Sequence, residues 1–386
     1  MYRRDFLRYS LAFAGAAVGS TFWTKAFAAY PAQTGPGPYG PLQAADANGI
    51  MLPAGFTSRE VARAGQVVGS NGYTWHVFPD GGATFRVSRG WVYVSNSEWL
   101  PPSGGGVGAL RFDSAGNIVD AYPICSGTAL NCAGGATPWR TWLTCEEHAS
   151  GTVWECDPLG VQAAVQRPAL GTFKHEAVAA DPRRRQLYLT EDESNGCLYR
   201  FTPTRWRHLD AGVLEVASVA MDGAVTWLPV PNPNPVLPGD TPTRLQVPGA
   251  TAFNGGEGIV YNHRHIFFAT KGDNRVWDYD VTAQRIAVAY QTVLDPGATL
   301  SGVDNVAASR SRDIVVAEDP GNLELVLITP GGVVSPLLRV TGQSGTELAG
   351  PAFDPSGRRL YFSSQRGNTT GITYEVTGPF RRRADD

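Results

Sequence analysis

The sequence predicts an all-β protein, a β-propeller of about six blades whose central channel binds metal ions. Two observations indicate this class. The 386 residues include 45 glycines and 28 prolines among many valines and aromatic residues, and almost no stretch has a clean helical period. This combination favours short strands joined by tight turns. Segments of one pattern also recur at roughly 45 residues per unit, which is the spacing of propeller blades and is not required by a β-sandwich.

Four segments in the second half of the chain can be superposed. Each has a short apolar strand, a polar turn, a second apolar strand, a polar or acidic corner and a third strand. They begin at Glu176 (EAVAADPRRRQLYLTEDE), Glu257 (EGIVYNHRHIFFATKGD), Asp304 (DNVAASRSRDIVVAED) and Gly350 (GPAFDPSGRRLYFSSQ). Two earlier pieces, GWVYVSNSEW and RTWLTCEEHASGTVWEC, share the second half of the pattern. Together the units predict one propeller domain over residues 29–386.

The first 28 residues are predicted to be an export signal. Arg3 and Arg4 form a twin arginine, the apolar run LAFAGAAVG follows, and AFA at 26–28 is a small-x-small cleavage site. The apolar run is too short and too rich in glycine and alanine to make a stable membrane anchor. We therefore predict a Tat-type signal over residues 1–28, the Tat export machinery as a partner, and a periplasmic or secreted protein.

Composition excludes several classes of function. The formal net charge is −3, which offers no basic surface for nucleic acid. The sequence has neither the GxSxG elbow of a serine hydrolase nor the HExxH spacing of a zinc site. In an oxidising compartment Cys125 could pair with Cys132, and Cys156 with Cys197. The odd cysteine, Cys145, is then either a liability or a metal ligand.

Acidic residues stand at matching positions of several units. A hairpin brings the residue before its first strand next to the residue after its second strand. In a propeller these ends would meet at one mouth of the channel, where so many carboxylates would repel one another without cations. Any one of these corners, taken alone, could equally be a solvated loop. The predicted metal ligands are Cys145, Glu146, Glu147, Glu176, Glu191, Asp192, Glu193, Glu257, Asp273, Asp304, Glu318 and Asp319.

The chemistry of these residues indicates which ions they would hold. Sets of Glu, Asp and Asn oxygens suit hard ions, Ca²⁺ first. One thiolate among carboxylates indicates an additional, redox-capable ion such as iron, so we predict both Ca²⁺ and iron. Asn96 and Glu98 stand at the corner of an earlier unit, and His175 directly precedes Glu176. These three residues are predicted to contact the substrate.

Three blocks of the sequence resemble those of the PhoX-type alkaline phosphatases: NCAGGATPWRTWLTCEE, FKHEAVAADPRRRQLYLTEDE and GPAFDPSGRRLYFSSQ. The resemblance runs from about Gly90 to Gln365 and identifies the chain as a short, divergent member. It implies a Tat-exported propeller that holds ferric ions and Ca²⁺ through a cysteine and acidic residues and hydrolyses phosphate monoesters. By this resemblance Cys145 corresponds to the iron-binding cysteine, and Glu176 and Glu257 correspond to catalytic glutamates that bridge metal ions.

Three positions depart from the family pattern. The family's phosphate-contacting arginine, two residues before the second glutamate, is Gly255 here. Ser97 replaces a histidine, and Arg140 stands where a glycine is usual. A contact between arginine and phosphate is not easily replaced. Arg275, in the same unit as Gly255, is the candidate that could supply the missing positive charge in catalysis.

The sequence therefore favours an exported, metal-dependent phosphatase that acts on small-molecule phosphate esters. The mechanism implied by the resemblance is metal-assisted, with ions that neutralise phosphate oxygens and activate a bridging oxide or hydroxide. Two alternatives stay open. One is a Ca²⁺-dependent propeller hydrolase of another class, such as a lactonase, which needs neither the iron nor the arginine. The other is a non-catalytic binding propeller that uses Ca²⁺ only to close its channel.

Overall fold

The computed structural model describes residues 31–100 and 105–384, and this part of the chain is built from strands and turns. The all-β class is confirmed. The predicted export signal over residues 1–28 lies outside the described residues. Within the described part, no helix has the length and hydropathy needed to cross a membrane. The helical turns there are 3-10 helices at Pro168–Leu170, Thr243–Leu245, Lys271–Asp273, Thr292–Leu294 and Gly367–Thr369.

The strands form six antiparallel blades, so the predicted blade number is also confirmed. Short strands come first: β1 (Gln33–Thr34), β2 (Ile50–Met51), β3 (Thr57–Arg63), β4 (Val67–Val68) and β5 (Tyr73–Thr74). Blade 1 contains β6 (Pro79–Val87), β7 (Gly90–Ser97), β8 (Gly106–Phe112) and β9 (Ile118–Ser126). Blade 2 contains β10 (Asn131–Ala136), β11 (Trp142–Glu146), β12 (Val153–Cys156) and β13 (Val165–Gln166).

The remaining four blades follow the same order along the chain. Blade 3 contains β14 (His175–Asp181), β15 (Gln186–Glu191), β16 (Leu198–Arg205), β17 (His208–Val219) and β18 (Val225–Pro229). Blade 4 contains β19 (Gly256–Asn262), β20 (His265–Thr270), β21 (Arg275–Asp280) and β22 (Arg285–Gln291). Blade 5 contains β23 (Val303–Ala308), β24 (Ile314–Glu318), β25 (Glu324–Ile328) and β26 (Val333–Val340). Blade 6 contains β27 (Leu348–Phe353), β28 (Arg359–Ser364) and β29 (Ile372–Thr377).

Blade 6 is completed by a strand from the beginning of the propeller. β29 pairs antiparallel with β3, with Ile372 opposite Arg63 and Thr377 opposite Thr57. β1 and β2 pair with β26 on the outer side of blade 5. Backbone hydrogen bonds therefore join the two ends of the propeller and close its ring, which leaves no open face between blades 6 and 1.

Aromatic side chains pack between neighbouring blades and fix their positions. Trp91 of blade 1 donates from Nε1 to the Tyr361 hydroxyl of blade 6 at 3.0 Å. The ring of Tyr93 stacks on the same tyrosine with centroids 4.9 Å apart. Between blades 3 and 4, Trp227 donates to the Tyr279 hydroxyl at 3.0 Å. Because both indole N–H groups have an acceptor, the two tryptophans are buried without the cost of an unsatisfied donor.

The first strand of every blade is innermost and carries a β-bulge near its start. In each case two residues of the first strand oppose a single residue of the second strand. A bulge of this kind bends the strand and re-aims the side chain of the extra residue. The first residues of the six bulges are Asp80, Cys132, Glu176, Glu257, Asp304 and Gly350.

The cysteine pairs suggested by spacing do not form. All five cysteines are free and buried. Cys125 lies near the end of the outer strand of blade 1, whereas Cys132 is the second residue of the innermost strand of blade 2, so these neighbours in sequence lie at different distances from the channel. Cys125 Sγ instead lies 4.0 Å from the Thr128 hydroxyl oxygen. The Cys156 and Cys197 thiols donate to the backbone carbonyl oxygens of Trp154 and Arg244, each at 3.9 Å.

Candidate metal centre

Nine side chains converge at one end of the channel, and we call them the acidic ring. They form four groups of three, and within each group one ligand atom from every residue lies within 4.8 Å of the others. Glu176, Asp304 and Glu347 each belong to two groups, so the four groups make one continuous set. The groups are Cys132–Glu147–Glu176, Glu176–Glu257–Asp304, Asp304–Asp319–Glu347 and Asp80–Glu98–Glu347.

Two repeated positions of the blade supply eight of the nine residues. The bulges of the first strands place one level of side chains, which are buried: Asp80, Cys132, Glu176, Glu257 and Asp304. The corner position, directly after the second strand, places a second and partly exposed level: Glu98, Glu147 and Asp319. Glu347, just before β27, completes the ring. The bulged residues therefore form its buried floor and the corner residues form its rim.

Glu176 is the strongest indication of a bound cation. Its side chain is fully buried, and neither carboxylate oxygen has a hydrogen-bond partner within the described part of the chain. Burial raises the pKa of Glu176 well above its usual range, and the carboxylates of Glu257 and Glu147 raise it further. A buried carboxylate without a partner costs several kcal/mol. A cation shared with its neighbours in the ring would remove that cost.

The thiol among these carboxylates is that of Cys132. Its Sγ lies 3.7 Å from Asp80 Oδ2, and it shares a group with Glu147 and Glu176. Cys145, the predicted ligand, is fully buried in an apolar cluster with Leu143 and Val153 and does not enter any of the four groups. The difference arises because Cys132 sits in the bulge of β10, whereas Cys145 is the β11 residue opposite that bulge.

Asn96 supports the Cys132 bulge through both its amide nitrogen and its amide oxygen. Its Nδ2 donates to the carbonyl oxygens of Cys132 at 3.0 Å and Ala133 at 2.8 Å. Its Oδ1 accepts from Trp142 Nε1 at 2.9 Å. In this structure Asn96 therefore positions the bulge, whereas Glu98, predicted for the same substrate contact, is a member of the ring.

Three predicted ligands, Glu146, Glu191 and Glu318, hold loops instead of entering the ring. Each is the last residue of a second strand, and each accepts a hydrogen bond from the backbone N–H six residues later: Thr152, Cys197 and Glu324, respectively. Glu191 also accepts from the Tyr199 hydroxyl at 2.7 Å and pairs with Arg244 at 3.0 Å. Adjacent residues of a strand face opposite sides, so in each acidic doublet the second residue faces the channel.

Four other predicted residues lie outside the four groups. Glu193 pairs with Arg244 at 3.5 Å, and Arg275 pairs with Asp273 at 3.1 Å. His175 is buried against Phe173, and its Nε2 is 3.0 Å from the carbonyl oxygen of Gly171. Burial lowers the pKa of His175 to about 4. Neither Arg275, predicted to act in catalysis, nor His175, predicted to contact substrate, therefore joins the acidic ring.

Three cations lie against the rim. Lys174 Nζ is 3.0 Å from Glu147 Oε1 and 2.7 Å from Asp192 Oδ2, and this places the predicted ligand Asp192 beside the ring. Lys271 Nζ is 3.2 Å from Glu257 Oε1 and 2.8 Å from Asp319 Oδ2. The third is a guanidinium: Arg366 is 3.0 Å from Glu347 and 3.7 Å from Glu98.

Gly255 lies beside these groups at the rim. Its φ is +69°, and a Cβ at this position would come within 3.2 Å of Asp192 Oδ1. The backbone here has the left-handed conformation that glycine adopts at little cost. An arginine at this position would therefore be strained in the present conformation, although the position itself faces the site.

Three members of the ring were not predicted from the sequence: Asp80, Cys132 and Glu347. The signal for the first two was present in the repeat. Extending the superposition upstream in the two earlier units places Asp80 and Cys132 at the positions of Glu176, Glu257 and Asp304. No repeated position marks Glu347, because it stands in the loop before blade 6.

Raised carboxyl pKa values predict how the metal-free protein responds to pH. Burial raises the pKa of Glu147 to about 7, with Lys174 opposing the change, and burial raises that of Asp304 to about 6, with Lys271 opposing it. Between about pH 4.5 and 7 the folded state then holds protons that the unfolded state has released. The free energy of unfolding should therefore fall as pH rises through this window.

Urea unfolding in EDTA at pH 5, 6, 7 and 8 tests this expectation. With saturating Ca²⁺, the fall in the free energy of unfolding from pH 5 to 8 should be smaller or reversed. More of the carboxylates are deprotonated as pH rises, so the ring binds cations more tightly. A metal-free protein that becomes more stable from pH 5 to 7 would contradict the assignment of these buried acids.

The fold and the ring define a class: a six-bladed β-propeller whose channel gathers carboxylates and one thiol in groups suited to metal ions. Within this class, the chain belongs to the PhoX alkaline phosphatase family. The model of that family, described as alkaline phosphatase PhoX, matches residues 102–156 and 148–293. None of the curated proteins matches the sequence.

Solved structures confirm the fold. Pseudomonas fluorescens PhoX, in complex with vanadate as a transition state analogue, is similar with a TM-score of 0.71 and 17% identity, covering 90% of this chain and 98% of that chain. A gluconolactonase from Xanthomonas campestris has a TM-score of 0.53 and 11% identity, covering 89% and 99%. The PQQ domain of pyranose dehydrogenase from Coprinopsis cinerea has a TM-score of 0.53 and 13% identity, covering 86% and 98%. At these identities the likeness concerns the propeller alone.

Proposed function

We propose that this protein is an exported, metal-dependent phosphatase that hydrolyses small-molecule phosphate esters at an iron and calcium site in the acidic ring. The observation that carries the proposal is the buried, unpartnered carboxylate of Glu176, which belongs both to the group with the Cys132 thiol and to a group of carboxylates. Membership of the PhoX family and the export signal predicted over residues 1–28 support the same reading.

The residues of the ring fit two kinds of ion. Cys132, Glu147 and Glu176 combine a thiol with carboxylates, which suits iron. The groups around Asp304 and Glu347 contain only carboxylates and suit Ca²⁺. When bound, such ions supply charge neutralisation at the phosphate oxygens and an activated hydroxide as nucleophile. Glu176 and Glu257, the predicted catalytic glutamates, would hold that centre together from the buried floor.

Arg366 is the best candidate for the phosphate-binding cation at the rim. Its side chain is 42% exposed, and the guanidinium lies 3.0 Å from Glu347 and 6.0 Å from the centroid of the Phe78 ring. A guanidinium can bind two phosphate oxygens at once. Arg366 would then take the role of the arginine that is absent at Gly255. It is a better candidate than Arg275, which is paired with Asp273.

Elemental analysis together with turnover tests the proposal. Protein exported in a bacterial host should contain both iron and calcium, absorb visible light through a thiolate-to-iron band, and hydrolyse p-nitrophenyl phosphate in a reaction that EDTA abolishes. Calcium without iron, or metal-loaded protein with no turnover of any phosphate ester, would overturn it.

One observation favours the alternative of a Ca²⁺-dependent hydrolase of the lactonase type. Gly255 removes the arginine expected to contact phosphate, whereas a lactone carries no phosphate and requires no such residue. Hydrolysis of glucono-1,5-lactone by calcium-loaded, iron-free protein would support this alternative. Saturable binding of small molecules with turnover of neither substrate class would support the non-catalytic propeller.

A further inference from the structure

The corner position repeats in all six blades but does not carry the same charge in each. Directly after the second strand stand Glu98, Glu147, Asp192, Lys271, Asp319 and Gln365, in the order of the blades. Four of these residues are carboxylic acids and one is a neutral amide. Blade 4 alone places a cation at a position where its two neighbours along the chain, blades 3 and 5, each place an aspartate.

The ammonium of Lys271 lies inside the ring of charges. Its Nζ is 3.2 Å from Glu257 Oε1, on the buried floor of its own blade, and 2.8 Å from Asp319 Oδ2, on the rim of the next blade. Asp304 shares one group with Glu257 and another with Asp319, and the positive charge of Lys271 opposes the rise in its pKa. Lys271 thus bridges carboxylates of two blades, which is also what a bound divalent ion would do.

We propose that Lys271 is a built-in cation that takes the place of one divalent metal ion between Glu257 and Asp319, and that it thereby limits the number of ions the ring can hold. The inference rests on the metal-binding part of the proposed function and extends it. Because the Lys271 ammonium neutralises Glu257 and Asp319, this part of the ring can form without a metal ion between them. The positions around Cys132, Glu176 and Glu347 are left to the exchangeable ions.

Metal stoichiometry tests this proposal directly. Lys271→Glu restores a carboxylate at the corner of blade 4, as in blades 1 and 2, and removes the ammonium. At saturating Ca²⁺, equilibrium dialysis with elemental analysis should find one more divalent ion per chain in this variant than in the wild type. If the variant folds only when Ca²⁺ is present during refolding, the same count is made on the refolded protein.

A second variant separates the charge from the new ligand. Lys271→Met keeps an unbranched side chain and removes the ammonium. In EDTA this variant should unfold at a lower temperature than the wild type, and Ca²⁺ should restore most of the difference, because an ion can enter the vacated position. Arg275→Met is the matched control: it removes a cation from the same blade that pairs with Asp273 outside the ring, so ion count should not change.

The proposal is overturned if Lys271→Glu binds the same number of ions as the wild type, or if Lys271→Met is as stable as the wild type in EDTA. These readouts do not depend on turnover. A wild type without phosphatase activity whose Lys271→Glu variant gains an ion would refute the proposed reaction and leave this inference intact. An active wild type whose Lys271→Glu variant binds no additional ion would support the proposed reaction and refute this inference.

Discussion

The Cys132→Ser variant is expected to lose its iron, and with it more than about 100-fold of the phosphatase kcat/KM. Groups that only support metal ligands typically contribute 10- to 100-fold to affinity or activity, so the loss of a direct thiolate ligand should cost more. The fold should persist, because Cys132 lies at the channel and its bulge is held from behind by Asn96. Iron content and the thiolate-to-iron absorption band are the measurements.

Cys145→Ser is the matched control, since it makes the same chemical change in the neighbouring strand of the same hairpin. Its thiol is buried among apolar side chains, so this variant should keep its iron and activity and lose stability instead. The opposite result, with iron lost in Cys145→Ser and kept in Cys132→Ser, would restore the assignment made from the family resemblance.

Glu176→Gln is expected to have two effects of opposite sign. Metal binding should be lost, because Glu176 belongs to two of the four groups. In EDTA at pH 8, however, the variant should be more stable than the wild type by about 1–3 kcal/mol, because a neutral amide replaces a buried carboxyl whose ionisation is costly. Urea unfolding with and without Ca²⁺ measures both effects.

Glu191→Gln provides the comparison for this prediction. Glu191 lies in the same blade and is equally buried, but its carboxylate accepts from Tyr199 and pairs with Arg244. Its replacement should therefore destabilise the protein and leave the ion count unchanged. If Glu176→Gln binds metal as tightly as the wild type, Glu176 is not a ligand.

The repeat predicted the blades because strand, turn and strand patterns survive as local features of the sequence. It also predicted that Glu176, Glu257 and Asp304 would meet Glu147 and Asp319. Hairpin closure brings such ends together within one blade, and the ring of blades brings the ends of all blades to one mouth of the channel. Which of two adjacent residues faces the channel could not be read in the same way. Strand alternation establishes only that the two residues face opposite sides. A bulge adds one residue to a strand, so beyond the bulge the positions that face the channel shift by one residue.

The cysteine illustrates this limit. Cys132 lies near the start of β10 and Cys145 near the end of β11, in the same hairpin. From the sequence alone, either cysteine is a candidate ligand. The bulge that turns Cys132 toward Asp80 is a tertiary feature, supported by Asn96 of the preceding blade. The role of Glu347 could not be predicted either, because its place in the ring depends on how blade 6 packs against blades 5 and 1.

The pairing of β29 with β3 means that the propeller can close only after its last strand has been synthesised. Asp80 and Glu98 emerge early from the ribosome, whereas Glu347, which joins them in one group, emerges some 250 residues later. A nascent chain that ends before blade 6 has the first carboxylates without their last neighbour and without the closing strand pair. The complete ion set that we propose for the ring can therefore load only after translation reaches the final blade.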